Sequence, residues 1–258
     1  LVGGLNSPLG SSSPWAVFDA WGADKIHDAP DDEGLLDPVN IEIPFQSGTV
    51  KDNVTETLKA YDRFLASRSS VHFGYPYNLM YNHEELYPFM KYSINNLGDP
   101  FVSSNYGVHS RAFEVAVVDF FAKLWKIEKP DYWGYVTTCG TEGNLHAMLL
   151  AREVLPEGII YSSTETHYSI FKAARYYRMQ AEAIPTAPGG HINYDALEAA
   201  IKKNIDKPVI INVNIGTTVK GAFDDLDRIL RILTNLKIPR ERFYIHCDGA
   251  LNALMLPF

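Results

Sequence analysis

The sequence contains few cysteines, no long apolar run and no cluster of basic residues. Its 258 residues include two cysteines, Cys139 and Cys247, each within an apolar, strand-like stretch. A chain of this size needs no disulfide scaffold, and we expect a reducing, cytoplasmic compartment. No run approaches the ~20 apolar residues that cross a bilayer, so no membrane association is expected. The net charge of −8 and the scattered basic residues argue against a nucleic-acid partner.

The acidic excess lies at the N-terminus. Residues 1–50 hold eight acidic side chains against Lys25 alone, and the rest of the chain is nearly neutral. The first fourteen residues, LVGGLNSPLGSSSP, show no hydrophobic periodicity. We predict a flexible acidic extension over residues 1–48. Because the sequence does not begin with methionine and stops directly after an apolar run, it is expected to be a piece of a longer protein.

Two strong helical patterns follow the extension. Residues 49–105 are predicted to form a helical segment. Its first helix is predicted to start at a capping Thr49 and to be amphipathic, because apolar residues recur there at three- and four-residue intervals, namely Val54, Leu58, Tyr61 and Leu65. A second helix is predicted over residues 109–127. That helix is apolar on most of its faces, which indicates burial against both a core and a neighbour and suits a subunit contact.

Residues 106–258 are typical of an α/β domain built around a mainly parallel sheet. The predicted strands are YWGYVTT, GIIYSS, AEAIP, PVIINVNIG and FYIHCDGA. The predicted helices between them are TEGNLHAMLLAREVL, HYSIFKAARYYRM, NYDALEAAIKKN and DDLDRILRILTNL, each starting near a capping Thr, Asn or Asp. In such sheets ligands bind beyond the carboxyl ends of the strands, so the loops after residues 138, 163, 215 and 247 are expected to line a site.

Each of these loops has a functional and a purely structural interpretation. In CGTEGN, Gly140 and Thr141 could hold a phosphate at a helix N-terminus, or Thr141 could cap the helix with Asn144 in the partner position. His167 could lie flat over a planar ligand or could satisfy a turn. The hydroxyls of NIGTTVKGAFDD could face a ligand or simply lead into the next helix.

Asp248 is the side chain for which function is favoured over structure. A carboxylate at the tip of an apolar strand needs a cation, a metal or a ring nitrogen to offset its desolvation. Together with a phosphate seat, a flat aromatic ring and hydroxyls, it describes a site for a phosphorylated heteroaromatic cation. Pyridoxal phosphate fits this description, since its chemistry requires a carboxylate at the pyridine nitrogen. No metal site is expected.

Several motifs, in order, also carry a family resemblance from about Tyr61 to Phe258. SINNLGDPF, WGYVTTCGTEGN, STETHYSIFKAARYYRM, NVNIGTTVKGAFDDLD and FYIHCDGALNALMLPF resemble the group II pyridoxal-phosphate decarboxylases, most closely the plant serine decarboxylase and histidine decarboxylase-like branch. The resemblance implies the fold-type I transferase-like large domain over residues 106–258, with a mixed, mainly parallel sheet, in a homodimer. It also implies that the C-terminal small domain is absent from this sequence.

The resemblance assigns expected roles to individual residues. It implies that Gly140 and Thr141 hold the phosphate, that Asp248 pairs with the pyridine nitrogen, and that Ala250 packs beneath the ring. His167 is expected to stack on the ring and contact substrate. Either Thr217 or Thr218 is expected near the ring. In the loop FGYPYN, Tyr75 and Asn78 resemble pocket residues, with packing or turn formation as the alternative.

One expected residue is missing. In this family the lysine that forms the Schiff base lies in a Ser-x-x-Gly-His-Lys segment downstream of the aspartate motif, where this sequence has ended. Lys220 occupies a different position, and a surface-loop lysine stays protonated. We therefore expect the parent protein to decarboxylate a small polar L-amino acid, with serine favoured over histidine and an aldehyde synthase a more distant alternative. The chain alone is expected to be inactive, or to act as a structural or regulatory partner.

Overall fold

The computed structural model describes residues 50–73, 78, 80–95 and 97–258, so the predicted acidic extension over residues 1–48 lies outside the described part. The chain divides into two compact units, one ending at Tyr81 and one spanning Asn82–Phe258. In the first, helix α1 covers Val50–Ser69, which confirms the predicted helix. None of the helices in the described ranges combines the length and the apolar composition that crossing a bilayer requires.

Four parallel strands form the sheet of the second unit. They are β1 (Ile159–Ser163), β2 (Gln180–Ile184), β3 (Val209–Asn214) and β4 (Phe243–Asp248), in the order β2-β1-β3-β4. The register pairs the last residues of β3 and β4, Asn214 and Asp248. All carboxyl ends therefore meet at one edge of the sheet, as the sequence predicted.

Helices cover both faces of this sheet. They are α3 (Gly140–Val154), α4 (Ser169–Tyr177), α5 (Tyr194–Lys203) and α6 (Leu226–Asn235). The second unit also contains α2 (Arg111–Leu124) and short 3₁₀ helices at Glu84–Phe89 and Arg240–Arg242. One core joins α5 and α6 to Tyr161 and Ile211, and the other joins α3 and α4 to Ile160 and Ile210. Strands β1 and β3 are buried on both faces, which explains why they begin with consecutive apolar residues. Their buried polar residues, Ser162, Ser163, Asn212 and Asn214, lie towards the carboxyl edge.

The helix caps agree with the sequence at two of the predicted positions. The side chain of Asn193 accepts a hydrogen bond from Ala196 N–H at the start of α5, and Asp225 does the same for Arg228 N–H at the start of α6. The prediction is wrong for α3, because this helix begins at Gly140. Its N-cap is Cys139, without a side-chain hydrogen bond, and Thr141 lies inside the first turn.

The predicted strand YWGYVTT is also wrong. Residues 132–138 contain no strand, because no neighbouring strand in the described residues pairs with them. Instead, side-chain carboxylates accept hydrogen bonds from two of the backbone N–H groups of this segment. Val136 N–H donates to Glu114 Oε1 at 2.9 Å, and Thr138 N–H donates to Glu142 Oε2 at 2.7 Å. Side chains of α2 and α3 thus hold this segment.

Candidate cofactor site

Asp248 ends β4 with its carboxylate buried at the carboxyl edge of the sheet. The residue is 8% exposed. Its carboxylate accepts hydrogen bonds from Asn144 Nδ2 at 2.8 Å and from Ala250 N–H at 3.2 Å. Both donors are neutral, and none of the lysines and arginines that the structure describes forms a salt bridge with it. A buried carboxylate without a cationic partner is suited to face a cationic ligand.

The N-terminus of α3 lies against the turn that follows Asp248. A Cβ added to Gly140 would lie 2.7 Å from the Cβ of Ala250, so glycine is required for this approach. Asn144, on the same helix, reaches Asp248 directly. The predicted phosphate seat and the predicted ring-nitrogen partner are therefore neighbours.

The start of α3 also favours negative charge. The pKa of the Cys139 thiol is lowered, chiefly by a hydrogen bond from the Glu142 backbone N–H, and the Thr141 N–H adds to this effect. Unpaired N–H groups at a helix start stabilise anions in the same way. The start of α3, beside Gly140, therefore favours an anion over a cation.

Asn144 does not serve as the partner of a capping threonine. The residue that reaches back over the helix start is Glu142, whose Oε2 accepts hydrogen bonds from the N–H and the hydroxyl of Thr138, each at 2.7 Å. These hydrogen bonds lower the pKa of the Glu142 carboxyl. Asn144 is 3% exposed, and its amide hydrogen-bonds to Asp248 rather than to a residue of the helix start.

His167 lies in the turn between β1 and α4, half-buried. Its Nδ1 is 2.7 Å from Ser169 Oγ and accepts a hydrogen bond from Ser169 N–H at 3.3 Å. Ser169 Oγ in turn accepts a hydrogen bond from Asn144 Nδ2 at 2.9 Å. The structure thus brings His167 and Asp248 into one network through two side chains.

The two threonines of the turn after β3 differ in their surroundings. Thr217 is 1% exposed, and its hydroxyl accepts a hydrogen bond from Ala222 N–H at 3.0 Å. Thr218 is exposed. Gly216, with φ of 97°, lies against Asn252 so closely that a side chain there would collide with it. The Thr217 hydroxyl is therefore engaged in shaping its own turn.

The predicted substrate residues belong to the first unit. Tyr75 lies outside the described residues. Asn78 is exposed, and its Oδ1 accepts a hydrogen bond from Met80 N–H at 2.9 Å, which is the turn-forming role considered as the alternative.

Lys220 forms a salt bridge with Glu165, with Nζ and Oε1 2.7 Å apart, and its side chain is 45% exposed. This environment suits the surface role given to Lys220 rather than that of a nucleophile.

Two polar residues of the site were not identified from the sequence as functional, and Asn144 was considered only as a capping partner. Ser169 carried no signal beyond its position two residues after His167. His246 lies two residues before Asp248 in β4, so strand periodicity places both side chains on the same face and could have identified it. His246 Nε2 is 2.7 Å from Asn144 Oδ1. Burial lowers the pKa of His246, and the nearby Asp248 carboxylate opposes that shift.

Comparison with known families gives one clear match. Residues 94–258 match the model of the pyridoxal-dependent decarboxylase conserved domain.

Two curated relatives are similar over most of the chain. Serine decarboxylase 1 of Oryza sativa subsp. japonica is 54% identical over 83% of this chain and 44% of its own length. The histidine decarboxylase of Solanum lycopersicum is 51% identical over 78% of this chain and 49% of its own. The chain spans about half the length of the curated relatives it matches.

Among solved structures, the L-methionine decarboxylase of Streptomyces sp. 590 in its internal aldimine form superposes with a TM-score of 0.76 and 27% sequence identity. The superposition covers 86% of this chain and 59% of that one. This similarity confirms the expected fold-type I large domain.

Proposed function

Since this chain belongs to the pyridoxal-dependent decarboxylase family, we propose that the complete protein removes the α-carboxylate of a small polar L-amino acid as carbon dioxide, with L-serine giving ethanolamine as the favoured reaction. The observation that carries this proposal is the position of Asp248. Its buried carboxylate accepts a hydrogen bond from Asn144, which lies in the first turns of α3. The N-terminus of that helix stabilises anions.

The residues at this edge of the sheet fit pyridoxal phosphate. Asp248 would accept the hydrogen bond of the pyridinium N–H and keep that proton in place. Gly140 and Thr141 would bind the phosphate through backbone N–H groups and a hydroxyl. When bound, the cofactor supplies the electron sink that takes up the electron pair of the breaking Cα–carboxylate bond. Ala250, packed against Gly140, would form the floor beneath the ring.

His167 would lie over the cofactor ring and orient the substrate rather than act as the main base. Its Nδ1 is occupied by Ser169, so the opposite nitrogen, Nε2, remains to meet a ligand. Thr217, buried at the next strand end, would support the ring through the turn it shapes. Tyr75 and Asn78 are proposed as substrate contacts contributed by the N-terminal segment.

L-histidine is the second candidate substrate. Relatives named histidine decarboxylase are nearly as similar to this chain as those named serine decarboxylase, at 51% against 54% identity. Both substrates carry a polar side chain, and both reactions place the same demands on Asp248 and His167.

The complete protein is proposed to be a cytoplasmic homodimer. On α2, three apolar side chains spaced along one face are exposed, Phe113, Val117 and Phe120. On α1, the apolar stripe is exposed as well, formed by Val54, Leu58, Tyr61 and Leu65. An apolar helix face of this kind is typical of subunit contacts, and a second copy of the chain is the proposed occupant.

Carbon dioxide release from the complete protein tests this function. We expect release from L-serine, weaker release from L-histidine and little from aromatic amino acids, each dependent on added pyridoxal phosphate. The Asp248→Ala variant should lose nearly all activity and retain the cofactor poorly, because the ring proton loses its partner. Full activity of this variant would rule out the site. Faster release from L-histidine than from L-serine would reverse the substrate assignment.

A further inference from the structure

Five buried or half-buried side chains form one hydrogen-bond network between β4 and the turn before α4. His246 Nε2 lies 2.7 Å from Asn144 Oδ1. Asn144 Nδ2 lies 2.8 Å from Asp248 Oδ2 and 2.9 Å from Ser169 Oγ. Ser169 Oγ lies 2.7 Å from His167 Nδ1. Asn144 is the branching point, since it contacts three of the other members of this network.

The chemistry of its partners fixes the orientation of the Asn144 amide. An ionised carboxylate only accepts hydrogen bonds, so the NH₂ group must face Asp248. The carbonyl oxygen then faces His246, whose Nε2 must carry a proton to donate to it. The remaining N–H of Asn144 is directed at Ser169 Oγ. All three polar contacts of the amide are satisfied in this single orientation.

The same reasoning fixes the proton on His167. Ser169 Oγ accepts from Asn144, which leaves its own hydroxyl proton to be donated to His167 Nδ1. Ser169 N–H points at the same nitrogen. A nitrogen that receives two donors is an acceptor, so the proton of the neutral imidazole belongs on Nε2. Hydrogen bonds are thus donated from His246 to Asn144, from Asn144 to Ser169, and from Ser169 to His167.

We propose that Asn144 is a positioning residue that, through this one network, sets both the orientation of the Asp248 carboxylate and the Nε2–H tautomer of His167. The inference rests on the proposed function for its catalytic meaning. With the Nε2 proton in place, His167 presents a hydrogen-bond donor to the ligand side of the site. Asn144 itself touches neither cofactor nor substrate and acts through the two residues that do.

The tautomer can be measured without cofactor, in the complete protein labelled with ¹⁵N-histidine. Long-range ¹⁵N–¹H correlations should show the Nε2–H tautomer for His167, with its signals assigned by their loss in His167→Gln. Asn144→Ala should raise the population of the Nδ1–H tautomer, because the Ser169 hydroxyl becomes free to accept, and Ser169→Ala should raise it because the hydroxyl donor is removed. In both variants the backbone N–H of residue 169 still points at Nδ1, so part of the Nε2–H tautomer should remain. Asn144→Asp keeps the side-chain size and replaces the donor by an acceptor, and it should give the same mixture.

Asn204→Ala provides the matched control. Asn204 also donates to a carboxylate, Glu182 Oε1 at 2.7 Å, but it caps the distant end of α5. This variant should leave the His167 tautomer unchanged. If Asn144→Ala and Asn144→Asp, both shown to be folded by circular dichroism, also leave it unchanged, the inference is overturned.

Kinetics separate this inference from the proposed function. We expect Asn144→Ala to lower kcat by about 10²-fold with little change in KM, because a misplaced carboxylate and imidazole impair the reaction rather than binding. A fall in kcat with an unaltered His167 tautomer would contradict the inference and leave the function standing. If the unsubstituted protein decarboxylates no amino acid, the proposed function fails, and the tautomer measurement still decides the role of Asn144.

Discussion

Gly140 allows the start of α3 to approach the turn after Asp248, and it is also proposed to bind the cofactor phosphate. A substitution of this residue therefore tests both roles. We expect Gly140→Ala to weaken pyridoxal-phosphate binding by at least about 10-fold, because the new methyl group would lie 2.7 Å from Ala250 Cβ and push the helix start away from the Asp248 turn. Cofactor titration followed by fluorescence measures this change. Gly140→Ala combined with Ala250→Gly removes the collision and should restore much of the affinity.

Gly143 provides the matched control on the same helix. A Cβ at this position meets nothing within 4 Å. Gly143→Ala should therefore leave cofactor affinity unchanged and raise the free energy of unfolding by roughly 0.5–1 kcal/mol, as expected for alanine in place of a helical glycine. Equal cofactor affinity in the two single variants would contradict the packing argument for Gly140.

At the level of single residues, the sequence identified the side chains that stand at strand ends. Asp248 and His167 could be found because a polar group that ends or follows an apolar strand needs an explanation. The role of Asn144 in the site could not be predicted, since its contact with Asp248 joins residues 104 positions apart. Such a contact depends on where α3 packs relative to β4, which local patterns do not specify.

At the level of elements, Glu142 connects the start of α3 to residue Thr138 of the segment before it. Thr138 donates two hydrogen bonds to the Glu142 carboxylate, which lowers its pKa below the ordinary value of about 4.3. A depressed carboxyl pKa contributes stability that is fully present above the unfolded-state value and is lost as the pH falls through the folded-state value.

We expect Glu142→Gln to lower the melting temperature of the cofactor-free protein at pH 7. The difference from the unsubstituted protein should shrink as the pH falls below about 4, where the carboxyl itself becomes protonated. Calorimetry at a series of pH values measures this. Glu153→Gln, at an exposed position on the same helix, is the control and should have little effect at any pH. A Glu142→Gln difference that does not change with pH would refute the assigned hydrogen bonds.

Secondary structure was predictable where burial and periodicity agreed. The apolar residues that begin β1 and β3 predict buried strands, and the apolar residues of α6 recur every three to four positions, which predicts a helix with one buried face. The stretch 132–138 is equally apolar and aromatic, but a strand also needs a partner whose backbone groups are free. Where side chains of neighbouring helices satisfy those groups, composition alone gives the wrong element.

At the level of the whole molecule, the exposed apolar face of α2 is a feature that calls for a partner. Phe113 is 74% exposed, and Val117 and Phe120 follow it at helical spacing. Phe120 also packs edge-on against Phe121, with ring centroids 5.2 Å apart. A continuous apolar helix face is well suited to a symmetric contact between two copies of the chain.

The last prediction concerns this face. In the complete protein we expect the double variant Phe113→Ser and Phe120→Ser to dissociate a dimer, as measured by sedimentation equilibrium. Burial of a phenylalanine contributes about 2 kcal/mol, and a symmetric interface contains each change twice, so the dimer should weaken by at least about 10³-fold. Val154→Ser removes an exposed apolar side chain from the end of α3 instead and should leave the association unchanged. A double variant that dissociates no more readily than Val154→Ser would show that the copies meet through another surface, and the α1 stripe would then be the next to test.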